Sequence, residues 1–271
     1  MKRTFIDQLN RKVSIDFPPR RIISLVPSQT ELLAHLGLEK ETVGITKFCV
    51  HPKEWFRAKV RVGGTKQLNL EKIAALQPTL VIGNKEENDR KQIEALAEKY
   101  PVWLSDVRSL EGALDMINHI GSLTGREQPA GQLARQISLG FDALGKEMAG
   151  KRRRRVAYFI WRKPYYVVAG DTFIDDMLRR AGFENVFGHK SRYPEISLEE
   201  LAEARPEAIL LSSEPFPFKE QHLEEFRRAC PITTLKFVDG ERFSWYGSRL
   251  LHSPDYFRKV RHGLTEAYRM L

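Results

Sequence analysis

Asn69-Leu-Glu-Lys-Ile-Ala-Ala-Leu-Gln-Pro-Thr-Leu-Val-Ile82 and Ser197-Leu-Glu-Glu-Leu-Ala-Glu-Ala-Arg-Pro-Glu-Ala-Ile-Leu210 spell one supersecondary unit twice. Each reads as a helix, a breaking proline and a buried strand. Asn69 and Ser197 are residues whose side chains accept from the free N–H groups of a helix start. Glu71 and Glu199 fall in the first turn, where the helix dipole favours an anion. Pro78 and Pro206 end the helices, because proline lacks the donor and clashes with the preceding turn.

A weaker echo lies upstream of each copy, where Glu31-Leu-Leu-Ala-His-Leu-Gly37 parallels Asp176-Met-Leu-Arg-Arg-Ala-Gly182 and glycine closes both helices. The first half carries extra residues around Phe48 to Gly64, a candidate functional loop. Strands are expected at Arg21–Val26, Thr42–Thr46, Thr79–Ile82 and Val102–Ser105. Helices are expected from a capping box at Ser28-x-x-Glu31, from Asn69, at Glu86–Lys99 and at Leu110–Leu123. The second half repeats the alternation, with strands near Val156–Ile160, Ala208–Ser212 and Leu235–Val238. Its helices are expected near Thr172–Arg180, Leu198–Ala204, Lys219–Ala229 and Pro254–Met270. Strands alternating with helices predict parallel, covered sheets. Between the halves, Leu133, Ile137, Phe141 and Leu144 recur at helical spacing, so Glu127–Met148 reads as one helix. The fold class is therefore α/β, with two lobes of mostly parallel central sheets flanked by helices and joined by one long connecting helix. The boundaries are an N-terminal lobe over 1–125, the connecting helix over 126–149 and a C-terminal lobe over 150–271. A stiff connector of this kind implies modest closure of the lobes on a ligand.

The bulk numbers agree with two ordinary cores: 271 residues, 42% hydrophobic and 29% charged. The formal charge of +9 suits anionic partners but does not choose among them. Its densest run, Lys151-Arg152-Arg153-Arg154-Arg155, has no interleaved aromatics and leads into Val156-Ala157-Tyr158-Phe159-Ile160, so it reads as a solvated strand start and no nucleic-acid partner is expected. Cys49 and Cys230 lack the paired spacing of zinc or redox motifs, and because they sit in different lobes each is expected to be a free thiol, Cys49 at the cleft mouth. The first 21 residues hold no apolar signal-peptide core, and no stretch approaches the roughly 18 apolar residues of a membrane span. The chain as it stands reads as soluble and cytoplasmic, or as extracytoplasmic if a leader has been removed, and a monomer is expected.

In open α/β sheets ligands bind beyond the carboxyl ends of strands. The segments following the expected strands are rich in aromatic and polar groups: Phe48, Cys49 and His51, with Thr65 and Lys66, in the first half, and Trp161, Glu214, Phe216, Trp245, Tyr246 and Arg249 in the second. Such walls suit a bulky, partly apolar ligand with anionic groups. Trp245 and Arg249 are expected to form one wall of the cleft opposite Phe48. Cys49 and His51 pair a soft with a borderline donor for a metal, or are a loop cysteine and a histidine held by Pro52; no resident metal or cofactor is assigned. Gly63-Gly64-Thr65-Lys66 lacks the frame of a phosphate loop and reads as a cleft loop. No nucleophile, base or zinc-protease motif occurs, so no catalytic residue is named and the chain is read as a binding protein, not an enzyme.

Arg21-Ile-Ile-Ser-Leu-Val-Pro-Ser-Gln-Thr-Glu31, Val43-Gly-Ile-Thr, the Asn69 and Pro78 segment, and Tyr193-Pro-Glu-Ile-Ser-Leu-Glu199 together resemble the periplasmic solute-binding proteins that deliver cobalamin, haem and ferric siderophores to ABC importers. The resemblance runs from about Arg21 to the C-terminus and is nearest the cobalamin branch. By that likeness Phe48 stands where the branch has an aromatic cleft residue, while Thr65 and Tyr193 stand where it has tryptophans. The resemblance implies a metal chelate or tetrapyrrole-like ligand, and importer membrane subunits as partners that contact Glu71 and Glu199. The leading reading is a substrate-binding component for a corrinoid, haem or iron-chelate importer. The rival is a cytoplasmic sensor or carrier on the same fold. A third, an enzyme acting on a cofactor precursor, rests only on acidic residues near the strand ends.

Overall fold

Covered parallel strands read as continuous apolar runs because both faces are buried, and Leu80–Asn84 and Ala208–Ser212 are buried at every position. The computed structural model describes residues 1–269, with side chains described through Leu264. Two units build separate sheets. Unit 1 comprises Met1–Val107, Glu111–Ile137 and Trp245–Arg249; unit 2 comprises Arg108–Leu110, Ser138–Ser244 and the chain from Leu250 onward.

Unit 1 contains β1 (Lys2–Ile6), β2 (Lys12–Asp16), β3 (Ile22–Ser24), α1 (Pro27–His35), β4 (Thr42–Ile45), α2 (Lys53–Ala58), β5 (Val60–Arg61), α3 (Leu70–Ala75), β6 (Leu80–Asn84), α4 (Arg90–Ala97) and β7 (Val102–Ser105). α5 (Leu110–Thr124) follows, and α6 (Glu127–Met148) contributes its first half to unit 1 and its second to unit 2. The sheet order is β5-β4-β3-β6-β7, parallel throughout. Its core is Ile23, Leu25, Ile73, Val81, Ile93 and Leu104.

Unit 2 continues with β8 (Arg154–Trp161), β9 (Tyr165–Val167), α7 (Phe173–Arg180), β10 (Phe183–Asn185), β11 (Glu195–Ile196), α8 (Leu198–Ala204), β12 (Ala208–Ser212), α9 (Leu223–Ala229), β13 (Thr234–Val238), α10 (Glu241–Ser244) and α11 (Ser253–Arg269). β10 and β12 pair parallel with β8, and β13 parallel with β12. β10 takes the first residues of one edge of β8, and β9 runs antiparallel along the last. Phe159, Ile209, Leu211, Phe218 and Phe226 anchor this core.

The duplication read from the sequence is a duplication of topology. β3-α1-β4 corresponds to β8-α7-β10, α3-β6 to α8-β12, and α4-β7 to α9-β13, with the same neighbours in each sheet. The caps work as expected: Asn69 Oδ1 accepts from the Lys72 N–H at 2.8 Å, and Ser197 and Glu200 exchange hydrogen bonds in a capping box. α6 has the bounds expected from its spacing.

Several elements differ from expectation. Pro27 occupies the first helical position of α1, where its missing N–H costs nothing, so Val26 is the N-cap and no Ser28–Glu31 box forms. α4 starts at Arg90, because Asp89 accepts from the Gln92 N–H at 3.0 Å. The inserted segment after β4 folds into α2 and the short β5. β1 and β2 form an antiparallel hairpin, and β9 and β11 add antiparallel pairing to unit 2. The last residue expected in α11, Met270, lies outside the described residues.

Gly37 and Gly182 follow their helices at φ 73° and 77°, the left-handed region that L-residues avoid. A Cβ on Gly37 would meet nothing, whereas one on Gly182 would lie 2.7 Å from Arg261 Nη1 and 2.9 Å from the Met148 sulfur. Gly37→Ala is therefore expected to lower unfolding free energy by about 1 kcal/mol, the cost of the backbone conformation alone. Gly182→Ala should cost measurably more in the same urea titration; equal losses would contradict the packing role.

Candidate functional site

The strand order of unit 1 turns back at β3, with β4 on one side and β6 on the other, and ligands bind beyond the carboxyl ends of strands at such a switch point. Three segments meet there: the start of α1, the turn after β4 and the turn after β6. Asn84 shapes the last of these, its side-chain oxygen accepting from the N–H groups of Glu86 and Glu87 at 2.8 and 3.0 Å. Asn88 braces it from below, accepting from Asn84 N–H and donating to the Thr65 carbonyl at 3.1 Å. Lys66 donates to the Glu86 carbonyl at 2.6 Å, so its ammonium ties the two loops together.

A fourth segment joins them from far along the chain. Arg249 donates through Nη2 and Nε to both oxygens of Glu31, at 2.6 and 3.0 Å. Its guanidinium lies 4.4 Å over the Trp245 ring, and Trp245 meets His51 edge-on at 5.7 Å. Tyr246 donates its hydroxyl to Glu87 at 2.5 Å. Burial, then the Glu87 carboxylate, hold this phenol well above its ordinary pKa, so it serves as a neutral donor. Gly247 passes so close to the Ser28 carbonyl that a Cβ would lie 2.6 Å away.

These contacts correct the expected wall. Trp245, Tyr246 and Arg249 belong to unit 1, the same unit as Phe48, although sequence position groups them with the second lobe. Trp245 and Tyr246 are each 6% exposed, and Arg249 is engaged by Glu31, so the segment is packed in place by its own charge and ring contacts. Cys49 is likewise corrected: it is free, as expected, but 0% exposed, with Thr30 and Thr46 hydroxyls 3.1 Å from its sulfur. Burial raises its pKa and keeps it a thiol, so it is not a group at a cleft mouth. Phe48, in contrast, is 51% exposed, its ring against Gly64 and within 5.1 Å of the Lys47 ammonium. His51 and Thr65 are half-buried.

In unit 2 the carboxyl end of β8 presents Trp161, 40% exposed and edge-on to Phe216 at 5.8 Å. Phe216 in turn meets Phe218 and His222 at 4.9 and 5.3 Å. Arg162 grips Glu225 through two bonds of 2.6 and 2.9 Å. Burial opposes the charge on Glu225, but the Arg162 and Tyr165 hydrogen bonds hold it below the ordinary carboxylate range. Burial and then Glu225 push Tyr165 up to about 12. Glu214 accepts from the Ser244 hydroxyl at 2.6 Å, and Tyr193 lies half-buried between β10 and β11. Glu71 and Glu199 are exposed in the first turns of α3 and α8. Hydrogen bonds from its own backbone N–H and from Ser197 keep Glu199 below the usual range.

Glu87, Arg162 and Tyr165 stand in the segments that follow expected strands, whereas Glu225 was not singled out from sequence and Glu31 was read only as a helix-cap residue. The signal for Glu31 was present but matched a capping box equally well. Among the described residues, no group of three or more His, Cys, Asp or Glu side chains is placed to hold a metal ion, and no helix is long and apolar enough to cross a membrane.

The model of the family described as periplasmic binding protein matches residues 22–232. A vitamin B12-binding protein of Vibrio vulnificus (strain CMCP6) is 29% identical over 197 residues, 72% of this chain and 72% of that protein. The solved periplasmic vitamin B12 binding protein BtuF of Vibrio cholerae superposes with a TM-score of 0.79 at 20% identity, covering 91% of this chain and 99% of that one. The periplasmic haem-binding protein RhuT of Roseiflexus sp. RS-1 gives 0.75 at 21% identity, covering 92% and 98%. At such identities the likeness to the two structures is one of fold.

Removing Glu31 would leave the half-buried Arg249 guanidinium without its carboxylate and loosen Trp245. Glu31→Ala is expected to cost about 1–3 kcal/mol in denaturant unfolding and to change tryptophan emission of the folded protein. Unchanged stability and emission would show that the pair does not hold the segment.

Proposed function

The chain belongs to the periplasmic binding protein family, and from that premise we propose that it is the substrate-binding component of an ABC importer and captures a metal chelate: a corrinoid, haem or ferric siderophore. The observation that carries the reading is the exposed aromatic at the carboxyl edge of each duplicated sheet, Phe48 after β4 and Trp161 at the end of β8. Flat conjugated ligands are recognised by such rings through offset or edge-on contact. His51 shares the Phe48 turn, Phe216 meets Trp161 edge-on, Thr65 and Tyr193 stand in separate loops, and Glu214 supplies a hydrogen-bonding carboxylate. Lys47, beside Phe48, offers a cation to a propionate or phosphate group of the ligand. The segment Trp245–Arg249 and Lys66 act by shaping the loops. Capture leaves the ligand chemically unchanged, and the place of work is outside the cytoplasm, as in the periplasmic relatives.

Glu71 and Glu199 are the docking pair. They are exposed, occupy equivalent turns of the duplicated unit, and suit bidentate pairing with arginines on the importer's membrane subunits.

One set of variants separates capture from docking. Phe48→Ala and Trp161→Ala should each weaken chelate binding about tenfold in an absorbance titration, roughly the value of one aromatic contact. Glu71→Lys/Glu199→Lys should leave that affinity unchanged and abolish stimulation of the importer's ATPase in proteoliposomes. Full affinity in both aromatic variants would overturn the binding surface, and full stimulation by the double variant would overturn the docking pair.

A further inference from the structure

The run Lys151–Arg155 has a place in the structure that a solvated strand start does not explain. β-strand periodicity divides it between two faces. Arg155 turns toward α8, donating to the carbonyls of Ala204 and Arg205. Arg154 turns toward α11, donating to the Leu264 carbonyl at 2.7 Å. There a cavity of about 950 Å³ opens in unit 2, between the end of α6, the start of β8 and α11. Among the described residues its lining holds Lys151, Arg152, Arg154, Arg258, Lys259 and Arg261, six cations, with Glu147 as the carboxylate beside them.

Glu147 is engaged by Arg258 through two bonds of 2.7 and 2.8 Å. Asp255 pairs with the same arginine, and Glu207 pairs with the exposed Arg152 at 3.0 Å. Arg261 donates to the backbone carbonyls of Gly182 and Arg152. These bonds fix the direction of the guanidinium. Burial and the neighbouring Arg154 charge lower the Arg261 pKa, an arrangement that an anion between them would relieve. Guanidinium groups held in advance lose little freedom on binding, and their planar donor forks match phosphate oxygens.

We propose that this cavity binds a phosphate-bearing polyanion, either a soluble oligophosphate or the headgroups of an anionic lipid surface. One phosphate would fill neither the volume nor the charge. β8 begins at this site and ends at Trp161, about 23 Å away at about 3.3 Å per residue, so the polyanion site is separate from the aromatic surface.

The test uses the full chain with two probes. Inorganic tripolyphosphate is titrated by calorimetry, and sedimentation is measured with vesicles of phosphatidylcholine alone or mixed equally with phosphatidylglycerol. The variant Lys151→Glu/Lys259→Glu reverses two exposed cations of the cavity. Lys12→Glu/Lys91→Glu makes the same change in net charge on unit 1. Saturable tripolyphosphate binding that weakens at least tenfold in the cavity variant, but not in the control, supports the site with a soluble source. Capture by the mixed vesicles alone, lost in the cavity variant and kept in the control, supports the site with a lipid source. No binding of either probe overturns the proposal. So does equal loss in both variants, which would assign the effect to net charge.

Discussion

The pairing of Arg249 with Glu31 sets the plan of unit 1. It draws a five-residue segment onto the end of a sheet whose strands lie more than a hundred residues earlier, while the chain on both sides of that segment folds with unit 2. The ion pair does not act alone. Trp245 touches both the guanidinium and His51, and the Tyr246 hydroxyl reaches Glu87, whose position is set by Asn84 and Asn88. A partly buried ion pair is stabilising only when its remaining donors and acceptors are satisfied, and here the indole covers one face of the guanidinium. With these groups committed to one another, Phe48 and Val50 remain the exposed apolar groups of the turn after β4.

The parts of this fold that were legible in the sequence obey local rules. Asn69 and Ser197 cap helices wherever they stand, and Gly37 and Gly182 end them by adopting a left-handed backbone. α6 is long enough for its helical period to be unmistakable. What escaped depends on contacts between distant residues. Ser28-x-x-Glu31 has the spacing of a capping box, yet proline at the first helical position and an arginine 218 residues away both compete with it, and both prevail. Cys49 follows a strand, as a ligand-facing residue would, but hydroxyls from two neighbouring elements take its sulfur into the core. The hairpin at the N-terminus carried a visible signal, the alternation of buried Val13 and Ile15 with polar neighbours, and Asn10 at φ 61° turns it. Its strands pair with each other, outside the duplicated pattern that organised the rest of the reading.

Duplication also explains how the two units come to differ. Each has the same four-strand frame, and each adds its own material at one edge: α2 and β5 in unit 1, β9 and β11 in unit 2. In unit 1 the addition sits around the Phe48 turn. In unit 2 the antiparallel β9 brings Tyr165 against Glu225, and with it the Arg162 clamp beside Trp161. The aromatic surface at one end of the unit 2 sheet is bordered by the Arg162–Glu225 pair and by Glu214. The cavity at the other end is strongly cationic, so chelate capture and anion binding would draw on different chemistry within one unit.

The central claim is capture of a metal chelate without chemistry, and its most direct measurement is the recovery of a bound ligand. The protein is saturated in turn with a cobalamin, haem and a ferric hydroxamate siderophore, freed of excess by gel filtration, and denatured, and the released molecule is identified by mass spectrometry. Stoichiometric recovery of at least one of these chelates with its mass unchanged is the expected result. Recovery of none of them, or release of a chemically altered product, would contradict the account.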